Sequence, residues 1–458
     1  MKKIFSVIIL AMATLAFTAC VHEEGDIFDK SAAERLNEAS AIYSARLGAS
    51  TNGWAMQYYP TYENEYPYGN GYLILMDFNN DGSVTVSMNN QFTDNNYLTD
   101  TSLWQVITDD GPVLSFNTYN KCMHAFSNPE DVPFTGTDDD PNDEQGVGVG
   151  GDYEFIIVDA PEDASYMMLK GKKRGTYNLL TPVEEGVEYE SYLQDIIDFN
   201  NMYFPADAPT YDLVYFGEDI YKMEGANDGI PNIYPFDGDP VANESFNPFL
   251  ITKRGEDYYL RFRDAQEVGE NKVQDFRYDK EKDAFVCVEN ANYYITGNKA
   301  ADFFYSTITG EITHSWTFSA TSTTMSDEFA TLYNNIVADF ASIDYTLKAM
   351  SFQYNNEKLT FRVTCTYREK QGTRWVQKTA NYNYTFKAEQ NGDNVVFTYE
   401  GTDNAGQLVI NKFPSVNTIV QTIANEYTIT PAVTSLNLKY LRFTNTANDK
   451  IWFDAEYK

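Results

Sequence analysis

Histidine is almost absent from this chain. Three occur in 458 residues, His22, His124 and His314, and they lie far apart. A zinc site needs three or four converging ligands, and so few histidines support one poorly. They support a serine–histidine–carboxylate triad no better. Cysteine is as scarce: Cys20, Cys122, Cys287 and Cys365, with no CxxC pair among them. That leaves no CxxC metal site and no readable disulfide framework. Cys365 alternates with apolar neighbours and reads as a buried core thiol. Positive charge is also short. Lys and Arg number 33 against 67 Asp and Glu, a formal charge of −34. Such an acidic body repels phosphate backbones, so no nucleic-acid partner is expected. Beyond residue 19 no run is apolar enough to span a bilayer as a helix.

The N-terminus has the parts of a secretory signal. Lys2 and Lys3 precede an apolar run from Ile4 to Phe17, and Thr18-Ala19 stand directly before Cys20. This is the pattern of a bacterial lipoprotein signal, with Phe17 where that pattern usually has Leu. Residues 1–19 are then a signal peptide, and Cys20 carries acyl chains on its sulfur and its new amine. Several chains anchor stably, since each buried CH₂ contributes about 0.8 kcal/mol. The expected partner at this end is outer-membrane lipid, held through Cys20. Glu23, Glu24 and Asp26 follow in an acidic tether over residues 20–30.

The body has material for buried cores, with apolar residues at 43% and aromatics at 15%, including 35 Tyr. Such aromatic content excludes disorder and favours strands. Ser31-Ala32-Ala33-Glu34 is a capping box, followed by Leu36, Ala39, Tyr43 and Leu47 at helical spacing up to Gly48. From Gly53 the period changes to two. Tyr72, Ile74, Met76 and Phe78 run into the Asn79–Gly82 turn, and Val84, Val86 and Met88 return. A helical stripe at Tyr189, Leu193, Ile196, Phe199 and Tyr203 ends before Pro205. Ser326 reads as an N-cap to Phe329, Leu332, Ile336 and Phe340. The cleanest alternation is Leu359, Phe361, Val363, Cys365 and Tyr367 inward, the mark of an antiparallel sheet with one wet face. A further helix is expected at 415–425.

The fold class is therefore mostly β with a few short helices, in multi-domain antiparallel β-sandwich or barrel-like units. The expected units are an N-terminal helix plus β domain at 31–205, a middle β-rich domain at 206–318, and a C-terminal helix plus β domain at 319–458. A helix leading into a meander occurs at Ser31–Met88 and again at Ser326–Tyr399, which suggests an internal duplication.

Four constellations bear on ligands. Asp77–Gly82 matches the first half of a calcium loop, but Met88 stands where a bidentate Glu is needed, so it reads as a hairpin turn. Asp138, Asp139, Asp140 and Asp143 supply the hard oxygen ligands that calcium takes, in a segment that otherwise reads as a solvated acidic loop. Calcium is the one cofactor to test. Lys172, Lys173 and Arg174 form the only dense positive cluster, which reads equally as a solvated turn between glycines or as a site for a carboxylate, a phosphate or an acidic subunit. Tyr58, Tyr59, Tyr62, Tyr66 and Tyr68 gather near prolines in a run that reads first as a long loop packed against the body, and otherwise as rigid rings for a peptide or a sugar.

Gly53–Pro60, Asp109–Phe116, Gly150–Phe155 and Leu169–Gly175 resemble signatures of an uncharacterised family of Bacteroidetes outer-membrane lipoproteins, a domain of unknown function. Glu23, Glu24 and Asp26 resemble that group's acidic surface-export signal. The resemblance implies an outer-membrane, lipid-anchored protein facing the extracellular side, encoded beside SusC/SusD-type importers. It also implies oligopeptides ahead of oligosaccharides as cargo. The expected function is an accessory ligand-binding subunit of a SusCD-type TonB-dependent importer. The alternatives are a surface glycan-binding protein and a surface hydrolase, either peptidase or glycosidase. No catalytic residue is nominated.

Overall fold

A computed structural model describes residues 30–62, 69–109, 111–128, 148–206, 211–239, 246–309, 315–355 and 358–458. The chain is built three times from one plan: a helix, then eight strands that meander antiparallel.

The first helix, α1 (Ala32–Leu47), opens on the Ser31/Glu34 capping box and stops at Gly48. Eight strands follow: β1 (Trp54–Tyr58), β2 (Tyr72–Phe78), β3 (Ser83–Met88), β4 (Leu98–Asp109), β5 (Gly111–Phe116), β6 (Glu154–Asp159), β7 (Met167–Gly171) and β8 (Tyr177–Pro182). They close into a barrel in which β1 pairs with β8. Closure leaves no bare strand edge. The β2–β3 connection is the expected tight turn. Asp81 accepts from the Ser83 amide at 2.9 Å, and Gly82 takes φ 84°. Trp54 ties helix to barrel by donating its indole N–H to the Leu47 carbonyl at 2.8 Å.

The second helix, α2 (Tyr189–Tyr203), leads into β9 (Asp212–Phe216), β10 (Asp219–Glu224), β11 (Asn232–Pro235), β12 (Phe249–Arg254), β13 (Asp257–Val268), β14 (Asn271–Asp279), β15 (Ala284–Cys287) and β16 (Tyr293–Gly297). Here the cycle is broken between β11 and β12. The helix covers the β12 side of the break. The Tyr192 hydroxyl donates to the Lys253 carbonyl and accepts from its amide, which occupies backbone groups on the outer edge of β12. Phe199 stacks on Tyr258 at 3.9 Å, and Phe204 meets Phe249 at 5.4 Å.

The third helix, α3 (Ala300–Thr309), precedes β17 (Ser315–Phe318), β18 (Thr346–Asn355), β19 (Lys358–Gln371), β20 (Arg374–Asn391), β21 (Asn394–Thr402), β22 (Glu426–Pro431), β23 (Tyr440–Asn445) and β24 (Trp452–Tyr457), again a closed barrel. Three helices are inserted into it. One is α4 (Asp327–Ala341), capped by Ser326. The others are α5 (Asn404–Lys412) and α6 (Pro414–Ile423). The last overlaps the helix expected at 415–425, whereas α5 has no counterpart among the expected elements. Phe304 of α3 meets Trp316, Phe352, Phe397 and Phe443 in the buried core. Both α3 and β17, placed in the middle domain by the sequence reading, thus pack with the third barrel. Full burial of each such ring stabilises by about 1.5–3 kcal/mol.

The three units share walls. Every residue of β1 is buried, not every second one, because Ala55 on its outer side joins the middle core together with Leu75 of β2. On the other flank, the Asp283 carboxylate accepts from the Thr434 hydroxyl at 2.5 Å and also from the Ser435 amide. Gly297 lies so close to Ser435 that a Cβ would overlap its carbonyl oxygen. All three cysteines in the body, Cys122, Cys287 and Cys365, are buried free thiols. Burial pushes Cys365 up to about 11 and Cys122 to about 12, so neither is a ready nucleophile.

The seam makes one expectation measurable. Gly297→Ala must push the 434–436 backbone away, and overpacking of this kind costs about 1–3 kcal/mol. A urea titration should show that loss, and an unchanged midpoint would mean that the seam yields freely.

Candidate functional site

The sequence nominated two neighbourhoods in the first barrel, and the structure changes both. Tyr58 and Tyr59 are not presented to solvent. Tyr58 ends β1 with its ring buried against Phe126 and Phe155, and Tyr59 is buried beside it. Alternation along a strand puts one of two neighbours inside, and the shared wall buries the other. Tyr62 is part-exposed with the Arg263 guanidinium over its ring at 5.2 Å. Tyr66 and Tyr68 lie outside the described residues, as do Cys20, Glu23, Glu24, Asp26, Asp138, Asp139, Asp140 and Asp143. Among the described residues no cluster of His, Cys, Asp and Glu is arranged to hold a metal ion.

Tyr58 has a different task. Its hydroxyl donates to the Asp152 carbonyl at 3.1 Å and accepts from the Asp152 amide at 2.8 Å. Asp152 is thereby fixed on the barrel core. Glycine makes the approach possible, because a Cβ at Gly151 would strike the Phe126 backbone and the Tyr58 hydroxyl. From this position the Asp152 carboxylate reaches the β7–β8 turn. It accepts from the Lys173 amide at 3.0 Å and the Arg174 amide at 2.8 Å. The turn closes with a Gly175 amide bond to the Gly171 carbonyl at 2.9 Å, and Gly175 has φ 79°. Gly171 is required here too, since a Cβ would meet the Asp152 carboxylate. Burial raises the Asp152 carboxyl above the usual range, opposed by the two amides and by the Arg174 and Lys173 charges.

The positive cluster is therefore a turn whose backbone donors are already taken by Asp152, while its side chains divide. Lys172 pairs with Asp109 at 2.6 Å and Glu154 at 3.1 Å. Those partners hold its proton tighter than usual. Lys173 is exposed. Arg174 is part-buried, and its Nε is enclosed without a hydrogen-bond partner. These three residues line a cleft of about 450 Å³ with Ser127, Asp152, Tyr153 and Glu154.

The cleft has an aromatic border that no sequence motif announced. His124 is sandwiched between Tyr119 at 5.1 Å and Tyr153 at 4.8 Å. The outer rings are open to solvent, Tyr119 at 59% and Tyr153 at 44%. Asn120 sets the stack. Its amide donates to His124 Nδ1 at 3.1 Å, and its fully buried side chain holds the Cys122 and Met123 amides. Burial lowers His124 below the usual imidazole range, so the ring is neutral at pH 7. The Ser127 hydroxyl donates to the backbone carbonyl of His124, not to its ring. The arrangement can therefore bind: Lys173 and Arg174 supply two cations beside a stacking surface. Among the described residues lining it, the Asp152 carboxylate accepts from two amides and Glu154 pairs with Lys172.

Comparison with known proteins adds a family. A family model described as a domain of unknown function, DUF4302, matches residues 24–280, which include the cleft. No curated protein matches the chain. Among solved structures, the β subunit of DNA polymerase from Streptococcus pyogenes aligns at 8% identity over 92% of this chain and 97% of that one, with a TM-score of 0.12. The DNA polymerase III β subunit of Thermotoga maritima aligns at 8% identity over 92% and 96%, also with a TM-score of 0.12. Intact Ap-TbpB, with its N and C lobes, aligns at 8% identity over 85% and 66%, with the same TM-score. Similarity this slight carries no argument about fold or function.

The raised Asp152 carboxyl sets a pH dependence. The native state holds this proton more tightly than the unfolded chain, so the associated stability is full at low pH and is lost as pH rises. Urea unfolding at a series of pH values should show wild type losing stability relative to Asp152→Asn between the ordinary aspartate range and neutrality. Parallel profiles would refute the assignment.

Proposed function

The chain belongs to the DUF4302 family, whose description assigns no activity, and from that premise we propose that it is a non-enzymatic ligand-binding lipoprotein of the cell surface. Its ligand class is the oligopeptide. The observation that carries this reading is a cleft lined by Lys173 and Arg174, with the exposed ring of Tyr153 on its wall and Tyr119 stacked beyond it through His124. A peptide brings both complements at once. Its terminal or side-chain carboxylate pairs with a guanidinium in the strongest class of hydrogen bond. Its side chains pack on tyrosine rings, which give contact area at small entropic cost. A neutral glycan would use the rings and leave Arg174 unanswered, so a carboxylate-bearing ligand is favoured.

Placement at the outer membrane rests on the Cys20 signal, with Glu23, Glu24 and Asp26 as export signal. A SusC/SusD-type importer is the proposed assembly partner, on the sequence resemblance alone. In that setting the cleft captures peptides and holds them near the transporter mouth.

Calorimetric titration of the full chain with a panel of oligopeptides tests the binding claim. Amidating the peptide C-terminus and mutating Arg174→Ala should each weaken binding about tenfold, close to 1.4 kcal/mol. A panel that binds equally with and without its carboxylates would sink the reading. The importer claim is checked separately, by gentle detergent extraction and identification of what travels with the anchored protein. Migration alone would remove it.

A further inference from the structure

The third barrel carries an arm. Strands β19 (Lys358–Gln371) and β20 (Arg374–Asn391) pair from Leu359↔Phe386 out to Gln371↔Arg374. Along the inner part, Leu359, Phe361, Val363 and Cys365 are buried in the barrel core. Beyond that, every residue from Arg368 to Trp375 is exposed, so the ribbon continues past the barrel wall with both faces in water. Gly372, at φ 60°, makes the tight turn at its end.

The composition of this ribbon departs from the rest of the chain. Residues 362–378 hold five cations, Arg362, Arg368, Lys370, Arg374 and Lys378, against the single acid Glu369. Over the whole chain acids outnumber cations 67 to 33. Among the described residues Arg368, Lys370, Arg374 and Lys378 form no ion pair. At the tip stands Trp375, 62% exposed and paired across the ribbon with Lys370. It is the one open tryptophan: Trp54, Trp104 and Trp316 are buried, and Trp452 lies under the Arg442 guanidinium at 4.0 Å.

We infer that this ribbon docks on an anionic lipid surface through phosphate-bearing headgroups. Charge complementarity gives the sign of the partner. The distribution of charge gives its kind. Cross-strand partners share a face, so Arg368, Lys370 and Trp375 lie on one side of the ribbon and Arg374 and Lys378 on the other. A groove on a folded protein reads one face of a ribbon. A headgroup layer surrounds the tip and answers both. Tryptophan prefers this same interfacial depth, and juxtamembrane cations are drawn to anionic leaflets. The strongly acidic body has few other places from which to approach such a surface. The inference is independent of the peptide cleft, which lies in the first barrel.

The full chain carrying Cys20→Ser, which removes the acylation site, is mixed with vesicles of phosphatidylcholine alone or with added phosphatidylglycerol. Trp375 is isolated as the difference in emission between this chain and its Trp375→Phe variant. With the anionic vesicles that emission should shift to the blue, respond to brominated lipid chains, and revert at high salt. The triple variant Arg368→Glu, Lys370→Glu and Arg374→Glu should lose vesicle partition on the order of a hundredfold. All three positions are exposed, and an unchanged circular dichroism spectrum confirms the fold. A Trp375 signal indifferent to lipid charge would overturn the proposal. So would the same change in Trp375 emission with inorganic phosphate alone, which would mean anion binding without a membrane. Concentration-dependent self-association abolished by the same triple variant, with no lipid effect, would reassign the arm to a protein contact.

Discussion

The edge of a β-sheet is a row of unpaired amides and carbonyls, and much of this molecule's shape keeps such edges covered. Two of its sheets meet the need by closing on themselves, β1 to β8 and β17 to β24. The middle sheet does not close, and there Tyr192 of α2 stands in for a strand by bonding both backbone groups of Lys253. Helices α2 and α3 then fill space that strands alone leave open. Phe199 and Phe304 do this with stacked and edge-on rings that few smaller side chains could replace.

Legibility in the sequence followed how local each cause was. The capping box at Ser31, the N-cap at Ser326 and the alternation from Leu359 to Cys365 depend on neighbours within a few residues, and each appears where its pattern puts it. Barrel-like units were among the expected architectures, but closure depends on Trp54 meeting Pro182, which no local pattern encodes. The duplication expected at Ser31–Met88 and Ser326–Tyr399 is a threefold plan whose third leading helix is α3, with α4 inserted after β17, because the repeats share geometry and not residues. Helix α5 has no counterpart among the expected elements because little of it is buried: Leu408 is exposed, and Gly406 and Val409 are its buried residues.

The site shows the same division. Lys172, Lys173 and Arg174 stand out in an acidic chain, and the turn around them is marked by Gly171 and Gly175. That Asp152 occupies the turn, so that Arg174 and not the backbone faces a ligand, is a matter of three dimensions. Of the two readings open for Tyr58, packing and recognition, its burial against Asp152 settles on packing. His124 looked isolated and is the centre of a stack, because residues 29 positions away in the chain return to it. Aromatic residues are a poor guide to surface function when strands pack on both sides, since burial consumes them first.

The shared wall between the first two units bears on synthesis. The first barrel can close once β8 has been made, yet Ala55 and Leu75 point away from its interior. The apolar cluster they join includes Phe285 and Ile295, about a hundred residues beyond the end of β8. Until those emerge, a nascent first barrel carries an uncovered apolar stripe of the kind that chaperones hold. The second unit is thus an internal cap for the first, delivered late by the same chain.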